Sequence, residues 1–390
     1  MFSSRLSFDL TPNRLSAALT RLRGAHVEID DLTESNPTAI GLTYPPRLLD
    51  PLATPASLSY HPQPFGRPAA RQAVVDDCRR RGFAVSRDRV VLTASTSEAY
   101  SLLFKLLCDP GDEVLVPVPS YPLFEYLASL DAVQVQPYRL DFHGRWAYDV
   151  DAIKRATTPR TRAVVIVSPN NPTGTYLSRY DLGPLAAHCR AHDIAIIGDE
   201  VFAEYVLDVE LPRVSSVLAQ REALTFGLAG LSKSLGLPQL KLGWMVVNGP
   251  DVLVKAALER LELICDTYLS VATPVQEALP TLLVEGATIR SQLRDRITRN
   301  YRSVKALAAA YASVDVLTSE GGWYAVMQVP AMQSEESLVL RILEHDHVLV
   351  HPGYFFDFPR EAFLIVSLLP PPDVFDRAIA KVLARVEASE

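Results

Sequence analysis

"RAVVIVSPNNPTGTYLSRYDLGPLAAHCRAHDIAIIGDE", residues 162–200, decides the fold. Two short β-branched runs, "RAVVIVSP" (162–169) and "IAIIGDE" (194–200), flank a helix-like "YDLGPLAAHCRAHD". Runs that are apolar on both faces are strands covered on both sides, and alternation with helices makes such strands parallel. The rhythm continues outward in "RVVLTAS" (89–95), "DEVLVPVPS" (112–120), "AVQVQPYRL" (132–140), "LTFGLAG" (224–230) and "LGWMVV" (242–247). A three-layer α/β/α unit with a mostly parallel sheet is expected.

On either side the pattern changes. Thr11 and Pro12 suit a helix cap and first turn before an amphipathic arm at 13–24, and three prolines in "ESNPTAIGLTYPP" then break regular structure. Residues 250–310 are mostly helical in pattern. The tail mixes strand-like "WYAVMQV" and "FLIVSLL" with helices. The expected division is a large domain at 47–285 and a smaller α+β C-terminal domain at 286–390, which the arm at 1–46 joins.

With 390 residues, 48% of them hydrophobic, the chain can fill two cores. A net charge of −7, with "CRRRG" (78–82) the one local basic run, gives no field for nucleic acid. No stretch stays apolar for the ~18 residues a membrane span needs, and the N-terminus lacks the apolar core of a signal peptide. Cys78, Cys108, Cys189 and Cys265 are too scattered for a metal or disulfide framework. His188 and His192, four apart, read as a solvated helix face. The expectation is a soluble cytoplasmic enzyme without metal, with small molecules as partners.

In open α/β sheets, ligands bind at the carboxyl ends of strands. There the chain places Thr96 and Ser97, Ser120 and Tyr121, Asn170 and Asn171, Asp199, and Ser232 with Lys233. Each alone has an ordinary reading: a cap for Thr96, core packing for Tyr121, a turn for Asn171. Together they describe one ligand. A helix start at "STSEAY" suits a phosphate, Tyr121 suits a flat ring, Asp199 a protonated ring nitrogen, and Lys233 an aldehyde. Pyridoxal 5'-phosphate has all four features.

"SPNNPTG" (168–174), "DEVF" (199–202) and "LSKSLGLPQLKLGW" (231–244) occur in the order and at spacings similar to those of the fold-type I pyridoxal-phosphate enzymes. The chain resembles their class I/II aminotransferases, related to aspartate and alanine aminotransferase, over nearly its whole length. "YHPQPFGRPAAR", "EGGWYAVMQVP" and "VLVHPGYFF" add support. The resemblance implies an internal aldimine at Lys233 and ping-pong half-reactions between an amine or amino acid and a keto acid. It implies cofactor contacts from Thr96, Ser97, Tyr121, Asn171, Asp199, the position of Phe202, Ser232 and Lys241. It further implies substrate contacts at Asn36 and the position of Ile365. Tyr60 matches a tyrosine that reaches the neighbouring subunit's phosphate, implying a homodimer with shared sites.

Four departures stand out against that pattern. Lys241 replaces an arginine eight positions after the lysine, so charge stays but the guanidinium fork does not. Phe202 replaces a tyrosine that donates to the cofactor's phenolic oxygen, which should raise the aldimine's pKa. Gly230 replaces a serine. In "EAFLIVSLLPPP", Ile365 occupies the place of the arginine that clamps the substrate α-carboxylate, so either another cation takes over, with Arg360 a candidate, or the substrate lacks that carboxylate. The scaffold also hosts lyases and decarboxylases, and a cofactor-binding regulator without turnover is a further alternative.

Overall fold

The computed structural model describes residues 2–208 and 212–388. Seven strands form its central sheet: β1 (Val90–Thr93), β2 (Glu113–Val118), β3 (Gln134–Arg139), β4 (Thr161–Val167), β5 (Ala195–Asp199), β6 (Thr225–Gly230) and β7 (Gly243–Asn248). Their order is β1-β7-β6-β5-β4-β2-β3. Neighbours from β6 to β3 run parallel, whereas β7 is antiparallel to both β6 and β1. Successive residues of β4 enter opposite layers: Ala163, Val165 and Val167 pack in one core cluster, and Val164 and Ile166 in the other. Each such valine or isoleucine contributes roughly 1.5–3 kcal/mol. This two-sided burial is what "RAVVIVSP" encodes.

A second sheet follows, in the order β8 (Asp315–Val316), β9 (Tyr324–Gln328), β11 (Phe363–Ser367) and β10 (His351–Pro352), all antiparallel. Helices Ala287–Ala308, Glu335–Asp346 and Pro372–Glu387 belong to the same part of the chain. The N-terminal arm is tied to it. Asp30–Asp31 pairs in parallel with Val348–Leu349, and Ser367 donates through its N–H to Leu32 O and through Oγ to Glu34 O, each at 2.6 Å. The arm's helix is Arg14–Gly24, and its cap is Asn13, not Thr11: Asn13 Oδ1 accepts from Ser16 N at 2.8 Å. The N–H of Thr11 is taken by Asp9 Oδ1 at 2.9 Å, which leaves Pro12 outside the helix.

Glu335 anchors the loop between β10 and β11. Its buried carboxylate accepts from Tyr354 N (3.0 Å), Ala362 N (2.8 Å) and Phe363 N (2.7 Å). Glu335→Ala strands three donors, so a loss of about 3 kcal/mol is expected in urea unfolding. A change below about 1 kcal/mol would mean that water satisfies them.

Candidate active site

Lys233 leaves the sheet without a loop. β6 ends at Gly230, and the four-residue helix Leu231–Ser234 starts at once. A Cβ on Gly230 would meet Gly243 Cα at 2.9 Å, and one on Gly243 would meet the carbonyl carbon of Ser95 at 3.2 Å. The absence of a serine at 230 thus has a packing cause. The same contacts draw the turns at 95–97, 230–233 and 241–243 to one spot. The hydroxyl of Tyr205, fully buried, fixes the short helix from below by donating to Lys233 O at 2.5 Å and Ser234 O at 3.2 Å.

The ammonium lies among rings. Lys233 Nζ is 5.1 Å from the Trp323 ring centroid and 5.7 Å from that of Phe202, and those two rings meet edge-on at 5.2 Å. Lys233 forms no ion pair among the described residues. Burial therefore lowers its pKa, with the charge of Asp199 opposing that shift. Asp199 closes β5 on the neighbouring strand. Its Oδ2 accepts from Tyr100 OH at 3.0 Å and its Oδ1 from Val201 N at 3.2 Å. Burial raises its pKa, and these two donors and Lys233 pull it back. A carboxylate held this way can keep a ring nitrogen protonated.

The described residues offer a fitting cradle for pyridoxal phosphate. Thr96 and Ser97 open the helix Thr96–Leu107, where the first N–H groups have no intrahelical acceptor. Their hydroxyls and that of Ser232 have no hydrogen-bond partner among the described residues. Lys241, exposed and in a left-handed conformation at φ +49°, adds an unpaired charge beside the same turns. Asn171 is buried after β4, with Oδ1 lacking a donor. Tyr121 stands at the mouth, 47% exposed and facing Tyr324.

Other expected residues fall elsewhere. Tyr60 is 73% exposed on a loop and takes no part in this cradle within one chain. Asn36 Oδ1 is engaged locally, accepting from Thr38 N at 3.0 Å and Thr38 Oγ1 at 2.7 Å. Ile365 is fully buried in β11, opposite Val326 and His351 in register. Arg360 stacks on Phe363 at 5.4 Å, and Phe363 precedes Ile365 by two residues on the same face of β11. Tyr100, Tyr205, Trp323 and His351 were not singled out from the sequence, although "STSEAY", "EGGWYAVMQVP" and "VLVHPGYFF" contain three of them.

His351 titrates in a testable range. Burial lowers its pKa to about 4. Between about 4 and the unfolded value near 6.5 the unfolded chain binds more protons, so stability rises with pH across that window and is lost on acidification. Unfolding at pH 5 should cost about 1–2 kcal/mol less than at pH 7, and His351→Asn should remove that part of the difference. An unchanged pH dependence in the variant would place the ring in water.

Among the described residues no histidine, cysteine or acidic cluster could hold a metal, and no helix is long and apolar enough to cross a membrane. All four cysteines are free thiols. The fold and the lysine–aspartate pair at its rim define a pyridoxal-phosphate enzyme of fold type I. The chain belongs to the aminotransferase class I and II family, whose model matches residues 52–382, and it is a pyridoxal-phosphate-dependent aminotransferase. It is 28% identical over 362 residues to the glutamate–pyruvate aminotransferase AlaA of Escherichia coli, covering 90% of this chain and 88% of that protein. It is 32% identical over 295 residues to the arginine–pyruvate transaminase AruH of Pseudomonas aeruginosa, covering 75% and 73%. The crystal structure of an aminotransferase from Escherichia coli superposes with a TM-score of 0.87 at 28% identity, covering 99% of this chain and 98% of that one.

Proposed function

We propose that this aminotransferase moves nitrogen between an amine or amino acid and a keto acid in two half-reactions, with Lys233 as the covalent anchor and proton carrier. Bound in the cradle, pyridoxal phosphate supplies an electron sink. Thr96, Ser97, Ser232 and Lys241 would hold its phosphate, Tyr121 would cover its ring, Asn171 would donate to its phenolic oxygen, and Asp199 would keep its nitrogen protonated. Lys233, whose charged form is disfavoured by burial, would serve as the group that takes up and returns the proton of the substrate carbon. Phe202 offers no hydrogen bond there.

The observation that carries this reading is the pairing of a buried lysine of lowered pKa with a carboxylate that Tyr100 holds in place. Purified protein should absorb as a bound pyridoxal chromophore, and borohydride should fix the cofactor to the peptide containing Lys233. A colourless protein with no adduct would refute it. Product analysis separates transfer from lyase chemistry: an oxo product with the nitrogen retained supports transfer, and released carbon dioxide argues against it.

We further propose a cytoplasmic homodimer, organised as a cofactor domain at 47–285 and a smaller one made of 1–46 and 286–390. The exposure of Tyr60, beside a small cleft lined by Tyr268 and Ser270, supports a role across the interface, and the unpaired thiols fit a reducing compartment. Asn36 and the position of Ile365 bound the substrate side. Ile365 cannot form the charge-assisted pair of an arginine, so the usual clamp on an α-carboxylate is missing.

A further inference from the structure

Three contacts of one buried residue, Tyr205, converge on Lys233. A helix leaves its last carbonyls without intrahelical donors. In Leu231–Ser234 the carbonyl of Leu231 accepts from Leu235 N at 3.1 Å and Leu237 N at 3.2 Å, and that of Gly230 accepts from Ser234 Oγ at 2.8 Å. The carbonyls of Lys233 and Ser234 meet no backbone N–H from outside the helix among the described residues. The Tyr205 hydroxyl, at 2.5 and 3.2 Å, serves both. Burial and Glu204 raise the pKa of that hydroxyl well above its ordinary value, against the pull of Arg290 and Arg294, so it stays a donor through neutral and alkaline pH.

The rest of the residue holds what Lys233 rests against. Tyr205 N donates to Phe202 O at 3.0 Å, so one turn carries both rings that flank Trp323, Phe202 at 5.2 Å and Tyr205 at 5.3 Å. Tyr205 O accepts from Gly322 N at 2.8 Å, Val206 bridges Gly321 in antiparallel fashion, and Leu207 N donates to Glu320 O at 2.8 Å. The two backbones approach so closely that a Cβ on Gly321 would meet Tyr205 O at 2.6 Å. Trp323 follows this pairing directly and leads into β9, and its ring centroid lies 5.1 Å from Lys233 Nζ. The backbone of the lysine and the ring that faces its ammonium are thus both fastened to Tyr205.

We propose that Tyr205 is a positioning residue for the reaction: its hydroxyl holds the Lys233 turn, its ring and carbonyl hold Trp323, and together they keep Nζ away from water where it exchanges its proton. The inference rests on the reading of Lys233 as the proton carrier. An ammonium packed against rings rather than water loses its proton readily, and Asp199 is the charge that opposes this. Without the hydroxyl, two buried carbonyls lose their donor. The backbone at 233–234 is then free to turn Nζ from Trp323 toward solvent. Tyr205 acts through Lys233 and touches no reacting atom.

Tyr205→Phe tests this, since it deletes the hydroxyl and keeps the ring against Trp323. Trace labelling of the apoprotein with acetic anhydride across pH, read by mass spectrometry on the peptide containing Lys233, should show the titration midpoint of the lysine moved up toward its ordinary value. In the holoenzyme, with the fastest of L-glutamate, L-alanine and L-arginine as donor, kcat should fall about 10-fold while KM stays within about 2-fold. Tyr138→Phe is the control for a purely structural role. It removes a comparable buried bond, from Tyr138 OH to Val165 O at 2.7 Å, and should lower stability while leaving midpoint and kcat at wild-type values. Gly321→Ala presses on Tyr205 O from the other end of the tie and should move the midpoint the same way, independently of the hydroxyl variant. A midpoint unmoved in Tyr205→Phe, or in Gly321→Ala should the first variant not fold, overturns the proposal. So does Tyr138→Phe matching Tyr205→Phe in both readouts. Wild-type protein with no borohydride adduct at Lys233 overturns the reading of the site instead, so the two failures are distinguishable.

Discussion

Lys233→Ala should slow the half-reaction by about 10⁴-fold, measured as the absorbance change of the bound cofactor after mixing with donor. The variant should still fold. Lys233 has no ion-pair partner among the described residues, and removing a desolvated ammonium relieves a cost rather than creating one. Cofactor should also remain bound, since Thr96, Ser97, Ser232 and Lys241 are untouched. Methylamine at high concentration can enter the space and accept the proton, so partial rescue of 10-fold or more, rising with the amine's basicity, is expected. A loss under 10-fold, or an amine-independent residual rate, would mean that another group moves the proton.

Asp199→Asn should cost about 10³-fold in kcat with little change in KM, since a neutral amide cannot hold a positive charge on the ring nitrogen; the loss corresponds to about 4 kcal/mol of barrier. Tyr100→Phe is a graded version of the same change. It deletes the 3.0 Å hydrogen bond but leaves the carboxylate, and Phe104 and Phe124 continue to pack the ring at 6.0 and 5.4 Å. Without that donor the pKa of Asp199, already raised by burial, rises further. The group then stays protonated to higher pH, so the acidic limb of the kcat profile should move up. A variant that lost only thermal stability, with its pH profile unmoved, would show that Tyr100 is a packing residue.

How much the sequence disclosed depended on how far apart the interacting groups lie along the chain. β4 and β5 were legible because both faces are buried, so apolar runs are continuous. Asp199 and Lys233 were legible because a charge directly after such a run has few ordinary causes. The helix cap was misplaced by two residues because Thr11-Pro12-Asn13 offers two capping side chains, and only the loss of Thr11 N–H to Asp9 decides between them. Tyr100 and Tyr205 escaped notice for another reason. Their acceptors are 99 and 28 positions away, and an aromatic residue amid apolar neighbours carries no local sign of where its hydroxyl ends. The stacking of Arg360 on Phe363 was not legible either, since it depends on how the chain before β11 turns. The proximity of His351 to Ile365 likewise depends on register alone.

The junction between Ser120 N and Phe356 O, at 2.9 Å, joins two sheets with separate duties. Reactive groups hang from the rim of one, while the other is tied to the N-terminal arm through Ser367. A substitution that displaces Phe356 should therefore be felt at Ser120 and Tyr121, on the rim that carries Lys233 and Asp199.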